Sequence, residues 1–135
     1  AVYALAVSDH IMIAHSFTGE MFGPAQAMHG ATYGVEVELR REALDEHGLV
    51  CDIGLALNAL REVLGGLNYR NLDELPELRG VNTTTEFMAG EIFRRMHARI
   101  AAGALGPDTV GALASMRVAV RESPVAWASF EDALR

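Results

Sequence analysis

The sequence predicts an α+β fold: a four-stranded antiparallel sheet with two helices packed on one face. Two observations predict it. Strand-like stretches stand at both ends of the chain, and two stretches with helical spacing stand between them, so the order is β-β-α-α-β-β. Strand pairs that sandwich a helix pair fit a sheet covered on one side. The 135 residues, 50% of them apolar, suit one domain over 1–135 with a single core.

Each element has its own signal. Residues 2–15, "VYALAVSDHIMIAH", are rich in Val, Ile and Tyr with few breakers, so they form a strand, with a bulge allowed for near Ser8–Asp9. Gly19, Gly23 and Pro24 make 16–28 a loop. From His29 to Arg40 the pattern alternates: His29, Ala31, Tyr33, Val35, Val37 and Leu39 share the apolar face. Ile53, Leu57, Leu60, Leu64 and Leu67 fall on one helical stripe, with Asp52 as N-cap. Pro76 and Gly80 mark 68–82 as a connection. A second helix starts at "TTTE", where Thr83 and Glu86 have capping-box spacing. Met88, Ala89, Ile92, Phe93, Met96 and Ile100 form its apolar face, and Gly103 stops it. "LASMRVAVRE" alternates again, with Met116, Val118, Val120 and Glu122 on one side. Pro124 breaks it, and "VAWASF" supplies a last strand whose Trp127 is assigned to the core.

Composition excludes several classes. The net charge is −7 and no basic stripe exists, which argues against nucleic acid, whose affinity comes largely from phosphate neutralisation. No apolar run approaches the ~18 residues of a membrane helix, and no secretory leader is visible. The single cysteine, Cys51, excludes an internal disulfide framework and fits a reducing compartment, so a cytoplasmic location is expected. No basic residue adjoins Cys51, which reads as a small buried hydrophobe rather than a nucleophile.

Four groups of residues could carry chemistry. His15 and His29 flank a loop at two strand ends, where imidazoles on neighbouring strands can converge on zinc. Two partly buried, hydrogen-bonded histidines are the alternative. Glu122 continues the apolar face of its strand, where a carboxylate must be paired or desolvated at a cost, unless it has passed the strand end and reaches water. A carboxylate so placed can accept two parallel N–H bonds from the edge of a flat, guanidine-like ring. Tyr69, with Arg70 and Asp73, follows a helix end, and its phenol could serve as an acid or base or simply pack with its hydroxyl in water. Glu20 is the acid in the loop between the two histidines.

Six segments in order resemble the 6-pyruvoyltetrahydropterin synthase and 6-carboxytetrahydropterin synthase family. "IMIAHSF" resembles its first-strand Ala-Ala-His, "MHGATY" its His-Gly-His-Asn-Tyr, and "GLVCDIGLALNAL" its Gly-x-Val-x-Asp-Phe. "GGLNYRNLDEL" resembles Leu-Asp-His-x-x-Leu-Asn, "NTTTEFMA" resembles Asn-Pro-Thr-Ser-Glu-Asn-Leu-Ala, and "VAVRES" the final Val-x-Glu-Thr. The resemblance implies the tunnelling fold, in which subunit sheets join into a barrel, a trimer or a dimer of trimers, with active sites between subunits. It implies a zinc ion on three histidines that activates the side chain of a dihydropterin triphosphate. It also implies a cysteine with an Asp-His pair that moves protons, and a late glutamate that holds the pterin ring.

The chain keeps part of this set. His15 and His29 match two zinc ligands, while the third position is Ala31. Gly23 stands at the cysteine, and Asn68 and Tyr69 at the Asp-His pair. Glu122 remains as ring anchor, and Thr84 and Glu86 remain at the start of the second helix as substrate-binding candidates. Two readings follow. One is a divergent lyase or cyclase acting on a pterin or similar planar heterocycle, with Tyr69 as acid, Glu20 as base or replacement ligand, and zinc held less tightly than by three histidines. The other is a catalytically inactive heterocycle-binding or oligomeric scaffold protein.

Overall fold

The computed structural model describes residues 1–135. Its main elements are β1 (Tyr3–His15), β2 (His29–Arg41), α1 (Ile53–Gly65), β3 (Arg70–Asn71), α2 (Thr85–Ala101), β4 (Ser115–Ser123) and β5 (Ala126–Ala133). The sheet order is β3-β1-β2-β4-β5. The four long strands are antiparallel, as the alternation predicts. The two-residue β3 adds parallel to β1 at Ile13–Ala14, so the sheet is mixed and has five strands.

β1 and β2 pair without a slip from Tyr3↔Arg41 to His15↔His29, so no bulge occurs at Ser8–Asp9. The irregularity lies in the last hairpin instead. Arg121 faces Trp127 and Ser123 faces Ala126, which leaves one residue more on β4 than on β5 at Glu122.

One face of the sheet is the core. Val7, Ile11, Ile13, Tyr33, Val35, Val37, Leu39, Met116, Val118 and Val120 are buried there against the two helices. α2 buries Met88, Ala89, Ile92, Phe93, Met96 and Ile100, the face its spacing predicts. α1 is rotated from its predicted stripe. It buries Ala56 and Ala59 beside Leu60, Val63 and Leu64, while Ile53 stays exposed, because the two alanines let the helix approach the sheet closely. The opposite sheet face carries an ion-pair ladder: Arg40 reaches Glu38 and Glu131, both at 2.6 Å, and Arg117 reaches Glu36 at 3.5 Å.

The helix starts fix the segments nearest the site. The Asp52 side chain caps α1 by accepting from Leu55 N at 3.0 Å. Thr84, not Thr83, caps α2, accepting from Phe87 N at 3.1 Å. This corrects the capping-box expectation: Thr83 is fully buried and its hydroxyl is committed elsewhere.

Candidate functional site

His15 ends β1 and His29 begins β2, directly opposite each other. Their rings lie 4.6 Å apart, centroid to centroid. Phe17 packs against both, Phe22 packs against Phe17, and the edge of Tyr33 approaches His15 at 6.3 Å. His15 is 1% exposed, and its Nδ1 shares a 2.9 Å hydrogen bond with Thr83 Oγ1. His29 is half-buried and donates from Nδ1 to the Ala27 carbonyl at 2.9 Å, which leaves its Nε2 facing away from the backbone.

Two clasps hold this corner. Asp73 accepts from Ser16 N at 3.0 Å and from Ser16 Oγ at 2.5 Å, just after His15. Asn82 exchanges two 2.9 Å hydrogen bonds with the Thr18 backbone, which brings Thr83 against the imidazole. Burial pushes the His15 pKa down, and the neighbouring His29 pushes the same way, against the pull of Asp73, Thr83 and Glu122. The neutral imidazole is therefore favoured.

The donor set does not fit a three-histidine zinc. Ala31, two residues beyond His29 on the same strand face, offers a methyl where a ligand would stand, and no three His, Cys, Asp or Glu side chains converge anywhere in the chain. Glu20 opens a 3₁₀ turn (Glu20–Gln26) and is exposed; within the subunit it does not complete the histidine pair. Gly23 in that turn has φ 53° and ψ −126°, a conformation essentially limited to glycine. Cys51 offers no substitute: it is buried, and burial with Asp52 beside it pushes the thiol up to about 11.

The carboxylate end is separate. Glu122 is exposed, not desolvated, although it lies inside β4. The bulge re-aims it, as bulges beside sites do. Its Oε2 accepts from Thr85 Oγ1 at 3.3 Å. Glu122, Thr85 and Glu86 line one depression of about 440 Å³ with Trp127 and Ser129. Thr84 spends its side chain on the α2 cap, so Thr85 is the threonine that faces this space, a residue sequence reasoning missed. The third helix-start hydroxyl, Thr83, was also missed as a partner of His15. The triple threonine was the visible signal, but which of the three faces which way depends on the exact helix start.

Tyr33 joins the two ends. Burial first, then Glu122, raises its pKa to about 12, while the Thr85 hydroxyl beside it acts in the opposite sense. The phenol stays protonated and can donate but not serve as a base near neutral pH. Trp127, expected in the core, is 54% exposed on the hairpin. Tyr69 stands apart from all of these. It is 80% exposed, with a left-handed φ of 59° that is rare for a bulky side chain. Its N–H donates to Met12 O at 2.7 Å, and Asn68 Oδ1 accepts from Met12 N at 2.9 Å, so the pair is clamped on the outer edge of β1.

A folded-state pKa above the unfolded value for an acid means that the unfolded chain loses its proton first. The Tyr33 contribution to stability is therefore present below pH ~10 and is lost as pH rises toward 12. Absorbance titration of phenolate formation should show a late step near pH 12 that Tyr33→Phe removes. Loss of all tyrosine protons in a single step near pH ~10 would contradict the buried-phenol assignment.

Comparison with known proteins agrees with this architecture. The chain superposes on the Caenorhabditis elegans 6-pyruvoyl tetrahydropterin synthase with a TM-score of 0.81 at 21% identity, covering 98% of this chain and 97% of that one. It superposes on the Plasmodium vivax 6-pyruvoyl tetrahydropterin synthase with a TM-score of 0.78 at 18% identity, covering 98% and 99%. A further P. vivax structure, 19% identical with a TM-score of 0.77 and the same coverage, carries a replacement of a glutamate described as a catalytic residue. No curated protein sequence matches significantly. The sequence profile of 6-pyruvoyl tetrahydropterin synthase matches residues 4–133, and the chain belongs to that family.

Proposed function

We propose that the chain is a divergent lyase or cyclase of this family, acting in the cytoplasm on a pterin or similar planar heterocycle. The observation that carries the proposal is Glu122: an accessible carboxylate, set by a bulge, in a depression shared with Thr85 and Glu86. Its two oxygens can take the paired N–H donors at the edge of a flat ring. Such recognition is planar and charge-assisted, and it needs no metal.

The proton-moving groups in this reading are Tyr69 as acid and Glu20 as base. Both are exposed, and Tyr69 stands on the outer edge of β1, so the reading calls for a homo-oligomer, a trimer or a dimer of trimers. The free outer edge of β5 and the edge of β1 beyond the short β3 support such an assembly, since unpaired strand edges favour pairing. The strained, clamped Tyr69 on that β1 edge supports a role outside its own subunit. The P. vivax structure with a replaced catalytic glutamate supports a carboxylate as a working residue on this fold. The second reading, a heterocycle-binding protein without turnover, is favoured by Ala31 and Gly23 together. Incubation with a dihydropterin triphosphate and mass spectrometry separates the two: elimination of triphosphate supports the enzyme, and intact recovered ligand supports the binder.

Glu122→Gln replaces one charged acceptor with a partly mispaired amide. It should weaken binding of neopterin by roughly 1.5–3 kcal/mol, tenfold or more, in calorimetry of the folded variant. Unchanged affinity would show that Glu122 is not the anchor. Ala31→His would set a third imidazole on the His29 strand face. In a competitive chelator titration it should bind zinc much more tightly than the parent. Equal tight binding in both would mean that the parent site is already complete.

A further inference from the structure

We propose that Trp127 is the stacking wall for the heterocycle, so that the indole, together with Glu122, sets which ring is accepted. The inference rests on the heterocycle-binding reading above and extends it to a residue outside the retained family motifs. A ring held only by in-plane hydrogen bonds to a carboxylate leaves both of its π-faces in water. Trp127 is the one large aromatic side chain lining the depression with Glu122, Glu86, Thr85 and Ser129. It is 54% exposed, where an indole with only a packing role would be covered.

Its orientation is set from two sides. Trp127 pairs with Arg121 across the hairpin, one step from the bulge that turns Glu122 into the depression. The Arg121 guanidinium lies over the indole, 4.4 Å from the ring centroid. A cation seated on one face occupies that face and fixes the ring, which leaves the other for a second flat group. The same two-residue turn, Pro124–Val125, therefore places an in-plane anchor and a face contact beside one another. Stacking is tolerant of ring identity, whereas the carboxylate demands paired N–H donors. The pair together selects flat heterocycles with a guanidine-like edge over flat rings that lack one.

The test uses neopterin, whose own emission can be excited where tryptophan does not absorb. Stacking on an indole should quench that emission on binding to the parent protein. Trp127→Leu should lower neopterin affinity roughly ten- to hundredfold and relieve the quenching of the fraction that binds. Trp127→Phe, which keeps a flat face and guards against a folding defect in the leucine variant, should retain most of the affinity with weaker quenching. Glu122→Gln should lower affinity while leaving the bound fraction quenched. Parent-like affinity and quenching in Trp127→Leu overturn the inference while leaving the heterocycle reading intact. So does a change in assembly mass with neopterin affinity unchanged, since the indole would then belong to a subunit contact. Absence of neopterin binding by the parent overturns the heterocycle reading and this inference with it.

Discussion

The pairing of β1 with β2 is the constraint on which the rest of the molecule depends. Two 13-residue strands run in unbroken antiparallel register. A slip of one residue would turn every side chain of one strand to the other face. The register puts Val35, Val37 and Leu39 into the core and, at its far end, sets His15 against His29. The same alternation carries Ala31 and Tyr33 to the histidine face. The incomplete ligand set is therefore a matter of side-chain identity on an intact scaffold. The strand that would present a third imidazole is in place, and it presents a methyl group.

The site divides into two parts with different physical supports. The histidine end is aromatic and largely covered: Phe17 packs on both rings, Tyr33 approaches His15 edge-on, and Thr83 holds His15 from the segment before α2. The carboxylate end is open and polar and depends on a single bulge in the last hairpin. Tyr33 spans them, its proton held by burial and by the negative charge of Glu122. In the loop between the strands, Gly23 adopts a backbone that a residue with a side chain would occupy only under strain.

Much of this was legible in the sequence, because core faces obey simple periods. The alternation at His29–Arg40 and the spacing from Met88 to Ile100 matched burial residue by residue. The resemblance of six short segments carried the fold, which the family profile then showed. What escaped has local causes. β3 has two residues and cannot display a period. In α1, alanines pack as well as leucines when a helix sits close to a sheet, so the stripe was rotated. Three consecutive threonines could each cap α2, and only the helix start decides that Thr83 turns to His15, Thr84 caps and Thr85 faces Glu122. A one-residue bulge leaves no mark on a hydrophobic pattern, so the exposure of Glu122 and Trp127 was hidden.

On the proposed reading, a flat ring is held by Glu122 and its neighbours without help from the His15–His29 pair, which lacks a third ligand within the subunit. The most direct measurement is calorimetric titration of neopterin into protein stripped of metal by a chelator, repeated after zinc is added back. The account predicts the same affinity in both, within about twofold. Binding that appears only once zinc is supplied would contradict it.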